Sequence, residues 1–197
     1  MIELYVKNIE EVWFGVAYEG EHVLATSFGL DKKRTLEGLK DSISSKSGFE
    51  HVEKPSAFAE HIVSLAKNAY DGNGVSTAFI LKMKHLSEHN RRVLYAVSLI
   101  PFGFVSSYGA VAKAVGTSPR AVGHAMATNP MAPIVPCHRV VGSDFSLVGY
   151  GGGLESKLKF LKRERKGFTS KREIPINGKG LLVFPVEFVL GKSEKST

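Results

Sequence analysis

Between Ser107 and Pro130 the chain is punctuated for two short helices in succession, and no other stretch restricts its fold as strongly. Ser107 is suited to cap a helix start and Gly116 to supply a left-handed stop, so the spacing predicts a helix over Tyr108–Val115. Ser118 is the next candidate N-cap. Pro119 then takes the first helical position, where its missing N–H leaves nothing unsatisfied, and Asn129-Pro130 ends the second helix. Two short helices joined by a Gly-containing turn form the helix-turn-helix pattern, in which the second helix enters a groove of a duplex. Ala121, Gly123, Ala125 and Ala127 are small and would let that backbone lie close to DNA. Arg120, in the first turn, would reach phosphate or push into the base stack. An ordinary helical hairpin packed on a core has the same signature.

Charge distribution favours the nucleic-acid alternative. Residues 1–99 carry 12 Lys+Arg against 13 Asp+Glu, whereas residues 100–167 carry 9 against 3. A basic surface confined to one half points to a polyanion partner.

That half also holds the one cysteine, in Ile134-Val135-Pro136-Cys137-His138-Arg139-Val140-Val141. With no second cysteine there is no intrachain disulfide and no multi-cysteine zinc site, so no metal is expected. A buried, inert thiol or a nucleophile tuned by its neighbours remains. His138 is the adjacent base. In an extended stretch the two side chains would point to opposite faces, which favours proton transfer through a water. A third group should orient the imidazole, and the basic half offers Asp144, Glu155 and Glu164. Leu154, Leu158 and Leu161 mark the apolar stripe of a helix expected from Leu154 to Lys166, and Glu164 falls on or beside that inward face. An unpaired buried carboxylate is costly, so Glu164 is the candidate orienting acid. Gly149-Tyr150-Gly151-Gly152-Gly153 permits close backbone approach to a bound group, although it lacks the lysine and hydroxyl of a phosphate-binding loop.

Upstream, Val12–Tyr18 and His22–Phe28 read as strands of a hairpin around Glu19-Gly20-Glu21, and Asp31–Ser45 and Ala57–Tyr70 as helices. Thr77–Leu86 is ambiguous and marks a connection. Ser87 caps a helix to about Leu99. Beyond residue 168, Asn177-Gly178 signals a hairpin whose second arm, Leu181–Leu190, contains Pro185, and Gly191–Thr197 reads as a flexible end. The expected class is α+β: a small antiparallel-sheet/helix domain over 1–84, a mostly helical domain with a winged helix-turn-helix over 85–168, and a docked β-containing extension over 169–197. Met1–Lys7 lacks a signal-peptide pattern and no apolar run is long enough to span a membrane, so a cytoplasmic setting is expected, nucleoid-associated if the source is prokaryotic.

Pro136-Cys137-His138-Arg139-Val140 resembles the active-site signature of the O6-alkylguanine-DNA alkyltransferases. Ser107-Tyr108-Gly109, Arg120-Ala121-Val122-Gly123, Ala125-Met126, Asn129-Pro130, Gly149-Tyr150 and Gly152-Gly153-Leu154 follow that family's order and spacing, over about Ser87–Gly167. The resemblance implies stoichiometric transfer of an alkyl group from guanine O6 in double-stranded DNA to Cys137 after base flipping, by a cofactor-free monomer. It implies that His138 acts through water as the base, that Glu164 orients it, that Asn129 fixes the turn and that Tyr108 helps guanine leave. The carbonyls of Cys137 and Val140 would receive the guanine amino group, Tyr150 and Gly151 would line the pocket, and Arg120 would fill the gap left by the flipped nucleotide. Some relatives have serine at Gly151, and a human-type relative has a basic residue at Ala127, so phosphate contacts must come from elsewhere, with His124 one candidate. A reader of alkylated guanine without catalysis is the alternative, but such proteins typically carry tryptophan in place of the cysteine. A Cys-His hydrolase or a plain helix-turn-helix regulator are the others.

Overall fold

Strands β1 (Ile2–Ile9), β2 (Val12–Glu19) and β3 (His22–Gly29) follow one another through two-residue turns, pairing antiparallel. In the first of these Ile2, Leu4 and Val6 share one buried cluster, and Tyr5, between them on the opposite face, is buried as well. Helix α1 (Lys32–Asp41) is capped by Asp31, whose side chain accepts from the Arg34 N–H. It ends before the expected Ser45, which with residues 44–47 lies outside the described residues; the computed structural model describes 1–43 and 48–194. Gly15 lets α1 approach closely, since a methyl group there would fall 2.9 Å from Leu39 Cδ1. After α1 the chain returns at the far edge of the sheet as β4 (Phe49–His51), parallel to β1, giving the order β3-β2-β1-β4. The sheet is therefore mixed rather than antiparallel, because a helical crossover delivers the next strand in the same direction. Helix α2 (Ala57–Asp71) starts at the Ser56 cap and stops at Gly72 in the left-handed conformation, and a 3₁₀ turn covers Ala78–Lys82.

Residues Met1–Leu86 form one unit together with Asn129–Val135; Ser87–Thr128 and the chain from Pro136 onward form the other. Asn129–Val135 is bound to β3: Thr26 donates its N–H to the Pro130 carbonyl (2.8 Å) and its hydroxyl to the Ala132 carbonyl (2.9 Å). The run-up to Cys137 is thus held by a strand from the first 30 residues.

In the second unit, α3 (Glu88–Ser98) starts at the Ser87 cap and leads into β5 (Phe104–Ser107). Helices α4 (Tyr108–Val115) and α5 (Pro119–Ala127) keep the expected boundaries, with Ser107 and Ser118 accepting first-turn N–H groups and Gly116 at φ +77°. Strand β6 (Val140–Val141) pairs parallel with β5 immediately after Cys137. Helix α6 (Leu154–Arg163) is shorter than expected: Glu164 caps its end instead of continuing to Lys166, because its carboxylate is turned inward.

The extension differs most from expectation. β7 (Arg172–Ile176) and β8 (Lys179–Pro185) form the hairpin around Asn177-Gly178, but the strand ends at Pro185 and the chain turns into helix α7 (Glu187–Glu194). Gly191–Glu194, expected to be flexible, completes that helix, and 195–197 lie outside the described residues. β8 pairs with β5, so the sheet β6-β5-β8-β7 has the extension as half of its strands. Val186, Val189 and Leu190 share one buried cluster with Val105, Val141 and Leu161.

Candidate active site around Cys137

Cys137-His138-Arg139 forms one 3₁₀ turn rather than the extended stretch expected, with Arg139 donating to the Pro136 carbonyl (2.9 Å) and Val140 to that of Cys137. The turn leaves Cys137 half-buried and buries both His138 and Arg139. Both converge on Glu164, which is 3% exposed. His138 Nε2 lies 2.6 Å from Glu164 Oε1, Arg139 presents Nε (2.9 Å) and Nη2 (3.0 Å) to the two carboxylate oxygens, and the Gly103 amide reaches Oε2 at 3.2 Å. Burial pushes Glu164 toward the protonated form, but His138 and Arg139 outweigh it and hold the carboxyl below its ordinary range. A carboxylate only accepts, so Nε2 donates. Burial also lowers His138, against the pull of Glu164, so the ring is neutral and Nδ1 keeps its lone pair. Phe160 stacks on the imidazole at 4.8 Å and fixes its plane. The result is an oriented general base.

Lys157 is fully buried within electrostatic reach of the thiol. Its ammonium donates to the carbonyls of Val140 (2.7 Å) and Val148 (2.8 Å), and lies over the rings of Tyr108 and Tyr150 at 5.9 and 5.8 Å. It thereby ties the strand after Cys137 to the start of the glycine loop. Burial pulls it down to about 8, with the charge of Cys137 acting upward. Tyr108 and Tyr150 are raised by burial and then by the same charge, so both phenols stay protonated beside the thiol. Tyr108 donates to the Gly149 carbonyl at 3.3 Å, and its ring lies 4.0 Å from where a Gly123 methyl would be, joining α5 to the site.

The remaining candidates are more dispersed. Asn129 belongs to the first unit, where its amide donates to the Val135 carbonyl (3.1 Å) and its oxygen accepts from Met131 (2.9 Å), clamping the turn. Val140 is buried, Gly151 is exposed, and on α5 Arg120, His124 and Ala127 are exposed while Ala121 is half-buried. Among the described residues no cluster of three His, Cys, Asp or Glu could hold a metal, and no helix is long and apolar enough to cross a membrane.

Arg139 and Lys157 were not among the sequence candidates, yet both left a signal. Lys157 lies three residues after Leu154 and four before Leu161, on the apolar stripe itself. Arg139 interrupts an apolar run, where a guanidinium requires a carboxylate. Because the folded value of Lys157 is depressed from 10.5, its burial costs stability below pH 8, and the cost disappears as pH rises toward 10.5. The expected stability gain over that window is on the order of 3 kcal/mol. Urea unfolding of wild type and Lys157→Met at pH 7 and pH 10 should show wild type gaining relative to the variant; a pH-independent difference would contradict the depressed ammonium.

Residues 88–166 match the family described as 6-O-methylguanine DNA methyltransferase, DNA binding domain. The methylated-DNA–protein-cysteine methyltransferase of Methanocaldococcus jannaschii is 35% identical over 163 residues, 83% of this chain and 94% of the relative. That of Mycolicibacterium paratuberculosis is 40% identical over 146 residues, 73% of this chain and 87% of the relative. The crystal structure of O6-methylguanine-DNA methyltransferase from Pyrococcus kodakaraensis superimposes with TM-score 0.61 at 30% identity, covering 83% of this chain and 99% of that one. Mycobacterium tuberculosis OGT in complex with DNA gives TM-score 0.57 at 28% identity, over 83% of this chain and 92% of that one.

Proposed function

The chain belongs to the methylated-DNA–protein-cysteine methyltransferase family, and on that premise we propose that it repairs O6-alkylguanine in duplex DNA by a single transfer of the alkyl group to Cys137. The observation that carries this is a half-buried thiol followed in the same turn by a buried imidazole that is held by Glu164, the carboxylate being held in turn by Arg139. Through an intervening water, His138 Nδ1 takes the thiol proton, and the imidazolium formed is stabilised by Glu164. The thiolate attacks the alkyl carbon, a C–S bond forms and the C–O6 bond breaks. The bonding electrons pass into the purine, which takes up a proton and leaves as neutral guanine. Tyr108, with its phenol kept protonated, turns its hydroxyl from the Gly149 carbonyl to donate a hydrogen bond to the departing base.

The alkyl carbon of a stacked base is out of reach of this thiol, so the nucleotide is flipped out and Arg120 fills the gap. The helix pair holds the duplex, and the small residues Ala121 and Gly123 bring α5 near it. The carbonyl of Cys137 accepts from the Val140 N–H and that of Val140 from the Lys157 ammonium, and both receive the guanine amino group when the base enters. Tyr150 and Gly151 line the pocket, Asn129 sets the turn entering Cys137, and the protein acts as a monomer. Since the thioether is not cleaved, the protein stops after one equivalent.

Mixing the protein with duplex DNA containing O6-methylguanine should add one methyl group to the peptide containing Cys137. Cys137→Ala should bind the same DNA without transfer. An unmodified Cys137 peptide under conditions of stable binding would overturn the assignment.

A further inference from the structure

The turn joining α4 to α5 is held by side chains from outside the helix pair. From α3, His89 Nε2 lies 2.8 Å from the Thr117 hydroxyl, and Arg92 donates from Nη2 to the Val115 carbonyl at 2.8 Å. From β8 comes Lys179: a methyl group on Gly116 would meet its Nζ at 3.3 Å. Lys179 directly follows the hairpin turn Asn177-Gly178, and it lies 13 residues beyond the end of the family match at 166. The extension therefore delivers an ammonium group to the exposed corner of the helix-turn-helix.

Two explanations compete for these cations. A cation near a helix C-terminus is stabilised by the last carbonyls, and the bond to Val115 accounts for Arg92 in this way. For Lys179 that account is incomplete. Among the described residues no acceptor takes a hydrogen bond from its Nζ and no carboxylate pairs with it, and the side chain is exposed. Glu173 is the carboxylate nearest in the hairpin, but it lies across Gly180, whose side of the strand is opposite to that of Lys179. Lys113, in the last turn of α4, and Arg120, in the first turn of α5, are also exposed, so the corner is ringed by positive charge. At the end of α5 Ala127 offers nothing to a phosphate, and His124 is the one basic side chain of that last turn.

We propose that Lys179, backed by Arg92, binds a backbone phosphate of duplex DNA at the α4–α5 turn, so that the C-terminal hairpin extends the DNA footprint beyond residues 88–166. This rests on the duplex-binding function proposed above. A phosphate contact positions the duplex and carries no sequence information, and it releases counterions when it forms. Its signature is thus a change in salt dependence, which a purely structural lysine does not produce.

The test is Lys179→Gln in the full-length protein, with duplex DNA binding followed by fluorescence anisotropy at several salt concentrations. Affinity should fall about threefold to tenfold regardless of sequence, and the slope of log K against log salt should shrink by about one. Lys179→Arg should restore both. Methyl transfer from the free O6-methylguanine base, which has no phosphate, should proceed at the wild-type rate. A Lys179→Gln protein with wild-type affinity and slope overturns the phosphate site while leaving the repair function intact. A variant that melts earlier but keeps the wild-type slope also overturns it, assigning Lys179 to holding the turn. A wild-type protein without salt-dependent duplex binding would remove the underlying function, and the phosphate site with it.

Discussion

Glu164→Gln is expected to lower the alkyl-transfer rate by about 10²–10⁴-fold, the contribution typical of a positioned general base, and to destabilise the fold by about 3–5 kcal/mol. Both effects come from one carboxylate. Glutamine has nearly the same shape, but its amide would turn N–H groups toward Arg139 and His138, which already donate. Arg139 would remain buried as a charge without its counter-ion, the situation in which removing one partner costs far more than the pair contributes. The imidazole would lose the acceptor that keeps its proton on Nε2, so Nδ1 would no longer be reliably free to take the thiol proton. Acid should narrow the stability gap. Glu164 is held below its ordinary value of 4.5, so its contribution is complete above that pH and is lost as pH falls through the lower folded value. Single-turnover transfer at saturating DNA and urea unfolding between pH 7 and pH 3 check the two effects. A transfer rate within threefold of wild type would remove Glu164 from the mechanism.

The same carboxylate shows what could be read before the structure was known. An acid beside the apolar stripe of Leu154, Leu158 and Leu161 had to have a partner, and the reasoning was local enough to name Glu164. Helix starts and stops were equally legible at Ser107, Gly116, Ser118 and Ser87, because a cap is decided by the few residues around it. What escaped is decided at long range. Nothing in Thr26 announces that it will bond to Pro130 and Ala132, more than a hundred residues away, and so hold the segment leading to Cys137. The parallel pairing of Ser106 with Val140 was hidden for the same reason, since β6 is only two residues long. Lys157 was lost in a helix rich in lysine. It differs from Lys159 and Lys162 only in facing inward, and the charge count that pointed to DNA treated all three alike.

Ending the chain at residue 168 should abolish folding of the second unit, and alkyl transfer with it. The extension follows the catalytic residues in sequence, yet in space it is half of their supporting sheet. Its removal strips Leu181, Val183, Val186, Val189 and Leu190 from the interior, each worth about 1.5–3 kcal/mol of burial. That loss is comparable with the entire stability of a typical domain, about 5–15 kcal/mol. Polar contacts go as well: the Gly103 carbonyl loses the Val186 N–H (3.0 Å), the Ser106 hydroxyl loses the Leu182 carbonyl (2.7 Å), and the Lys166 and Gly167 amides lose Glu187. Ser106 and Gly103 matter beyond stability, because β5 leads directly into Tyr108 and Gly103 also donates to Glu164. The truncated protein should therefore be insoluble or lack a cooperative unfolding transition. A milder variant separates support from chemistry: Leu181→Ala in the full-length chain should cost about 2–5 kcal/mol in urea unfolding while the folded fraction still methylates Cys137. Wild-type melting and transfer by the truncated chain would show that the extension is an appendage, whereas loss of both would make it part of the active unit, carrying the sheet on which Tyr108 and the segment after Cys137 are built.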